Sequence, residues 1–390
     1  MDFSFTPEQE RLRLEVREFL QKEVTEESRL DFKFDRPYSP DTWKLLRGLG
    51  ERGWLCPAWP RELGGIGATP LDNYVIQDEI SYAFAPTPFA VISTMVVGPT
   101  LLLHGSEEQK KKFLPMIARG EVEFSMGYTE PGSGSDLASL SLRAEDKGDY
   151  YLVNGQKMFS TKADFADYGW LAVRTDPDNP KKHKGISLLI FDLKNTPGVT
   201  VRPIYNMSGY HSCEVFYDDV HIPKENLVGE ENQGFFIIGA ALLFERAIAV
   251  SGFHRPLEQL VEYVKTARRH GKPLAADPLV RRKLAELEMK FAVISVASRR
   301  LSWMQEMKLF ALNETAMCKL LSTELVYDLA NAGMQIMGHY GELLSDSKYA
   351  ELQGWFAHMY QEAPHYKIAG GTSEIQRQII STRGLGLPRG

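Results

Sequence analysis

Apolar positions recur at helical spacing near both ends of this chain and in short strand-like runs between them. Near the start, Leu12, Val16, Phe19 and Leu20 fall on one face of an amphipathic helix. Thr6-Pro7-Glu8-Gln9 opens it: Thr6 caps, Pro7 suits the first helical position, and Gln9 completes a capping box. A Pro/Gly-rich stretch follows, including 53–60 and 64–67, and then residues from about 71 to 103 predict long apolar helices. Ser106-Glu107-Glu108-Gln109 caps a further helix that ends near Gly120. From Phe124 to about Val228 the texture changes to apolar runs broken by turn signals. Tyr150 to Val153, then Asn154-Gly155, then Gln156 to Phe159 predicts a hairpin, because Asn-Gly suits the positive φ angles of a tight turn. Residues 170–173, 186–191 and 214–217 predict further strands. Helical spacing returns after Gly234, at Leu284, Leu287, Phe291 and Ile294 and from Thr315 to Met337. Helices, strands, then helices predict an α+β multidomain chain divided at 1–122, 123–233 and 234–390.

Composition narrows the function classes. At 43% apolar and 25% charged, the 390 residues are ordinary for a globular protein, and a net charge of -6 argues against a nucleic-acid binder. The basic run Lys181-Lys182-His183-Lys184 reads as a solvated loop tip. Cys56, Cys213 and Cys318 are widely spaced, with no Cys-x-x-Cys, which argues against a zinc site or a disulfide framework. That usage fits a reducing compartment, and acidic residues near the start show neither a signal nor a transit peptide, so a cytoplasmic location is expected. No run of about 18 apolar residues predicts a membrane span.

One stretch carries chemistry. Gly127-Tyr128-Thr129-Glu130-Pro131-Gly132-Ser133-Gly134-Ser135-Asp136 is a loop in which glycines let main-chain N–H groups approach a ligand and small hydroxyls stand beside them. It closely resembles the flavin-contacting loop of the acyl-CoA dehydrogenase family, and the resemblance runs essentially end to end. It implies an N-terminal helical domain, a middle β-barrel-like domain and a C-terminal four-helix bundle. It also implies FAD as cofactor, an acyl-CoA thioester as substrate, an electron-transferring flavoprotein as acceptor, and a homotetramer or homodimer.

The resemblance further assigns residues. Met126, Tyr128, Thr129 and Ser135 lie at flavin-contacting positions, with Tyr128 and Thr129 on the pyrimidine edge and Ser135 shared with the CoA arm. Phe159, Ser160 and Thr161 form a second flavin segment, in which many members carry Trp in place of Phe159. As plain residues, Phe159 reads equally as core and Thr161 as strand. Gln335-Ile336-Met337-Gly338-His339-Tyr340-Gly341 resembles a cofactor-contacting turn, with His339 replacing a glycine, and Thr372 and Glu374 belong to the family's closing motif. Near His270-Gly271-Lys272, Arg268 or Arg269 stands in for an Arg that is out of register, and Pro278 stands where Gln is usual.

The reaction needs a carboxylate in a dry pocket and donors at the thioester carbonyl. Many members place that carboxylate in a Tyr-Glu-Gly-Thr loop, but here the loop reads Ala369-Gly370-Gly371-Thr372, so Gly370 occupies the Glu position. Isovaleryl-CoA and long-chain members place the base instead on a helix, at the position held here by Glu245 in Leu242-Leu243-Phe244-Glu245-Arg246-Ala247. Apolar flanks would desolvate that carboxylate and raise its basicity, and Arg246 would orient it. The plain alternative is a helix-surface Glu-Arg pair. The Gly370 N–H is expected to donate to the thioester oxygen, and the missing side chain to leave room for a bulky, branched or cyclic acyl group. An acyl-CoA oxidase or flavin monooxygenase on the same fold, and a non-catalytic acyl-CoA-binding partner subunit, are the competing readings.

Overall fold

The computed structural model describes residues 4–34, 37–86, 92–245, 250–309 and 311–388, and the side chains of 242–245 lie outside the description. The order helices, strands, helices holds. By packing, the chain forms two units, one of residues 1–36, 68–85 and 246–390, the other of 37–67 and 86–245.

The first unit is helical. Helix Pro7–Glu23 opens with the expected capping box, Thr6 accepting from the Gln9 N–H and Gln9 returning the bond. It buries Val16 and Leu20. Arg13 and Arg17 reach across to the buried Glu79 carboxylate on helix Pro70–Tyr82, at 2.8 and 2.7 Å. Four helices, Ser251–Thr266, Pro278–Glu306, Leu312–Met337 and Trp355–Tyr366, share one core around Leu260, Leu287, Leu329 and Phe356. The spacing of 284, 287, 291 and 294 was read correctly: Leu287 and Ile294 are buried, while Leu284 and Phe291 pack at the core's edge.

The expected helices between 71 and 103 are shorter than the apolar pattern. Helix Pro70–Tyr82 stops because Phe84 adopts left-handed backbone at φ +56 and Pro86 follows. A π-helical turn, Ile92–Val97, then runs into helix Gly98–His104. Helix Glu107–Ala118, capped by Ser106 and Gln109, ends close to the expected place.

The second unit is built on a seven-stranded curled sheet. Its strands are β1 (Phe124–Gly127), β2 (Arg143–Asp146), β3 (Tyr150–Thr161), β4 (Tyr168–Arg174), β5 (Ile186–Asp192), β6 (Val199–Tyr205) and β7 (His211–Pro223). The order is β1-β4-β2-β3-β7-β6, with β5 also on β4; β1 runs parallel to β4, and β3, β6 and β7 form an antiparallel run. Tyr151, Val153, Leu171, Val173, Leu189, Val215 and Val220 fill its interior.

The Asn154-Gly155 hairpin is not formed. β3 passes through that dipeptide as one strand and bulges there, with Gly155 at φ +136. The Asn154 side chain bonds both the main chain and the carboxylate of Asp219 on β7, at 2.8 and 3.0 Å, which satisfies the polar residue within the ladder. The turn lies earlier, between β2 and β3. There Gly148 sits at φ +91, its N–H donates to Asp146 at 2.8 Å, and Lys147 N bonds Tyr150 O at 2.9 Å. Asn-Gly signalled a need for unusual backbone, which a bulge meets as well as a turn does.

Candidate active site

In the second unit the two segments singled out by sequence run side by side. Met158 N donates to Thr129 O at 2.8 Å, and Ser125 Oγ to Thr161 O at 2.9 Å. Met126, Thr129 and Thr161 are half-buried, and Ser135 is exposed on the loop beyond. Phe159 is 56% exposed and holds φ at +58, at a slip in the β3–β7 register. A large aromatic on left-handed backbone, turned out of the sheet, is a costly arrangement of the kind found at ligand sites.

Two expected contacts are constrained. Ser160, next along the strand, turns inward and lines a small cavity with Ser125, Trp170 and Tyr217, where its hydroxyl meets no partner among the described residues. Its side chain therefore faces away from Phe159, which leaves its main chain for any ligand. Tyr128 is also buried, its hydroxyl accepting from Trp170 Nε1 at 2.9 Å, so its ring too is turned inward.

Beneath the loop lies a polar network that sequence reasoning missed. The Glu130 carboxylate accepts from Ser141 N, Ser141 Oγ and Leu142 N at 2.7, 2.8 and 2.8 Å, and from Lys157 Nζ at 2.8 Å. Lys157 also donates to Tyr128 O at 3.1 Å. The two side chains are 5% and 0% exposed. Burial pulls the Lys157 ammonium down to about 8, with Glu130 opposing. Burial pushes the Glu130 carboxyl up, but Lys157 and the N–H donors outweigh it and hold it below its ordinary value. Arg174 completes the brace, its guanidinium donating to Ala138 O at 2.6 Å, Leu140 O at 2.9 Å and Lys182 O. The one sequence clue was a lysine on β3 at a core-facing position.

Leading into β1, Glu123 is fully enclosed and accepts from Ser93 Oγ at 3.0 Å. Burial, helped by Asp167, pushes its carboxyl up to about 8 against the Ser93 hydroxyl and the Lys162 ammonium. Elsewhere in this unit His211 Nε2 stands 2.9 Å and Cys213 Sγ 3.5 Å from the Asp164 carboxylate, a hydrogen-bonded cluster hidden from sequence by its long separation. All three cysteines are free and buried. The basic run at 181–184 is largely exposed.

Helix Gly234–Glu245 carries the expected base at its last residue. The Glu245 side chain and the whole of Arg246 lie outside the described residues.

In the first unit, Arg269 Nη2 donates to Ile336 O at 2.6 Å and approaches Gln335 O at 3.5 Å, bringing two predicted segments together. Arg268 donates instead to Gly271 O at 3.1 Å. Gly338 ends helix Leu312–Met337 at φ +60, and the His339 side chain is fully exposed, 3.7 Å from the Glu342 carboxylate. Pro278 is the first residue of its helix, capped by Asp277. In the 369–372 loop, Gly370 and Gly371 take φ +65 and +94, a conformation that disfavours any side chain there. The buried Lys319 donates to Gly371 O at 2.7 Å, and Gln376 to the Gly370 and Gly371 carbonyls at 3.3 and 3.0 Å. Thr372 caps the short helix that follows, with an exposed Glu374 in its first turn.

Among the described residues no helix is long and apolar enough to cross a membrane. Models of the acyl-CoA dehydrogenase N-terminal, middle and C-terminal domains match residues 6–121, 125–220 and 232–385. The chain is 37% identical over 395 residues to acyl-CoA dehydrogenase FadE29 of Mycobacterium tuberculosis (strain ATCC 25618 / H37Rv), covering 100% of this chain and 99% of the relative. It is similar in fold to the ChsE4-ChsE5 complex from Mycobacterium tuberculosis (36% identity, TM-score 0.89) and to the Tcur3481-Tcur3483 steroid ACAD (33%, 0.92), each covered in full on both sides.

Proposed function

Because the chain belongs to the acyl-CoA dehydrogenase family, FAD-dependent oxidoreductases acting on a CH–CH group of an acyl-CoA thioester, we propose that it forms a 2-enoyl-CoA with Glu245 as its base. The observation that carries the cofactor half is the braced 126–136 loop beside Phe159, an exposed aromatic held in left-handed backbone. Those residues fit a flat ring: Phe159 and Thr161 offer a face, and Met126, Tyr128, Thr129 and Ser160 offer main-chain groups. Bound FAD would supply the acceptor for the β-hydride.

The chain's own residues do the rest. Glu245 removes the α-proton, with Arg246 orienting it; the Gly370 N–H donates to the thioester oxygen; Ser135 meets the CoA arm. Arg269, the Gln335–His339 turn, Thr372 and Glu374 supply further cofactor contacts, with Arg268 a weaker candidate because its guanidinium is engaged on its own turn. The 369–372 loop holds no carboxylate, which supports Glu245 as the base.

The acyl group is bulky and polycyclic. Gly370 leaves space, and a similar structure carries the word steroid in its name. The working assembly pairs this chain with a copy or a related second subunit, as complexes are named among the similar structures. Electrons pass to an electron-transferring flavoprotein, in the cytoplasm.

The test is direct. The purified protein should be yellow with bound FAD and should oxidise polycyclic acyl-CoA thioesters faster than short straight ones, using an artificial electron acceptor. Glu245→Gln should keep its flavin and lose about 10²–10⁴ in turnover. Near-normal turnover in that variant excludes Glu245 as base, while a colourless wild type fed with FAD supports a non-catalytic partner subunit. Peroxide release without an acceptor would point to an oxidase.

A further inference from the structure

We propose that Lys157 is a positioning residue for the flavin, acting through the Tyr128–Thr129 peptide with Glu130 as its fixed counter-charge. This rests on the reading of residues 126–136 as the flavin loop.

Lys157 is wholly buried on β3, the strand that also sends Tyr151 and Val153 into the core. For packing alone an apolar side chain would serve at least as well, since a buried ion pair seldom stabilises more than its hydrophobic replacement. What the ammonium does instead is join two parts of one segment, Tyr128 O at 3.1 Å and Glu130 Oε1 at 2.8 Å. Glu130 closes the loop onto Ser141 and Leu142, so the ammonium cannot drift from its place. The next rung, Met158 N to Thr129 O, fixes the other side of the same residue.

The chemistry follows from the peptide unit. The Tyr128 carbonyl and the Thr129 N–H share one delocalised amide. A cation on the carbonyl draws electron density from that amide and makes its N–H a stronger donor. Thr129 stands at the position assigned to the pyrimidine edge of the ring. Negative charge gathers along that edge as a flavin is reduced. A strengthened donor there favours the reduced ring over the oxidised one, which raises the midpoint potential. A mere brace would order the loop equally and leave the potential where it was.

The variant Glu130→Gln/Lys157→Met removes both charges together, so no unpaired ion is left inside. With FAD bound and no substrate present, the midpoint potential is read against a redox dye. The expected result is a yellow protein whose reduced-to-oxidised ratio at fixed potential falls at least tenfold, or about 30 mV for a two-electron couple. Lys157→Met alone should shift in the same direction. An unmoved potential in a folded, flavin-loaded double variant overturns the inference and leaves the pair as a brace. Collapse of the double variant assigns the pair to the fold itself and overturns it too. A wild-type protein that takes up no flavin removes the underlying loop reading, and that is visible before any variant is made.

Discussion

The segments proposed to hold the two ends of the cofactor are built in opposite ways. Residues 128–142 lie over charged groups that are almost wholly enclosed, Lys157 at 0% and Glu130 at 5% exposure, and that network holds the main chain at Tyr128, Ser141 and Leu142. The Gln335–His339 segment instead begins as the last turn of helix Leu312–Met337, with Ile336 and Met337 in the helical core. The only charged side chain on its main chain among the described residues is the exposed Arg269, and its histidine stands in solvent at an ion-pair distance from Glu342. Enclosure makes the first segment rigid before any ligand arrives. Exposure leaves the Gly338–His339 end of the second adaptable, and dependent on whatever covers it. A ring whose reactivity depends on alignment needs the first kind of support; a flexible phosphate arm tolerates the second.

The largest expected effect tests that rigidity. Glu130→Ala leaves the Lys157 ammonium buried without its counter-charge and frees the N–H groups of Ser141 and Leu142. Breaking a buried pair in this way costs about 3–5 kcal/mol. Hydrogen exchange should show the amides of 131–142 opening far more readily, while those of helix Leu312–Met337 keep their protection. Equal protection of 131–142 in variant and wild type would mean that the loop is held by its turns alone, and the contrast between the segments would vanish.

A second effect comes from the other enclosed acid of the same unit. Glu123 has an ordinary value of 4.5 and is pushed up to about 8 when folded. Between those values the folded chain holds a proton that the unfolded chain has released. Glu123 therefore favours folding fully below 4.5, and that advantage is lost as pH rises through 8. The loss amounts to at most about 1.4 kcal/mol per pH unit. Glu123→Gln keeps a side chain able to meet Ser93 and removes the titration, so thermal melts from pH 5 to 8 should flatten relative to wild type. A slope unchanged by the substitution would show that Glu123 is charged throughout.

Much of this was legible in sequence, for identifiable reasons. Caps and amphipathic faces depend on near neighbours, so Thr6, Ser106 and the 284–294 stripe were readable from spacing alone. The loop at 127–136 and Phe159 stood out through their resemblance to a known family's motifs, since as plain residues they read as a turn and a core aromatic. Asn154-Gly155 misled, because its local preference fits both a turn and a bulge, and only the long partner strand β7 decides between them. Glu130 and Arg174 stayed hidden, since charged residues are usually solvated and nothing local marks them as enclosed, and Lys157 carried only its core-facing place on β3 as a clue. The Asp164–His211 contact spans a separation that no spacing rule covers.

The smallest effect concerns the exposed segment. Arg269 holds the Gln335–Gly338 turn through main-chain carbonyls only, so Arg269→Ala should cost no more than about 1 kcal/mol of stability. Its influence should appear in cofactor retention instead. A planar guanidinium bonded to carbonyls on one side still presents N–H groups and full charge to phosphate oxygens. FAD should leave the variant several-fold faster than wild type on dilution, and added salt should erase much of that difference. Arg269→Lys should recover the salt-sensitive part, because the charge is kept, but not the rest, because the fork is gone. If release from Arg269→Ala matches wild type, the turn serves the helix end alone, and cofactor retention depends entirely on the enclosed segment.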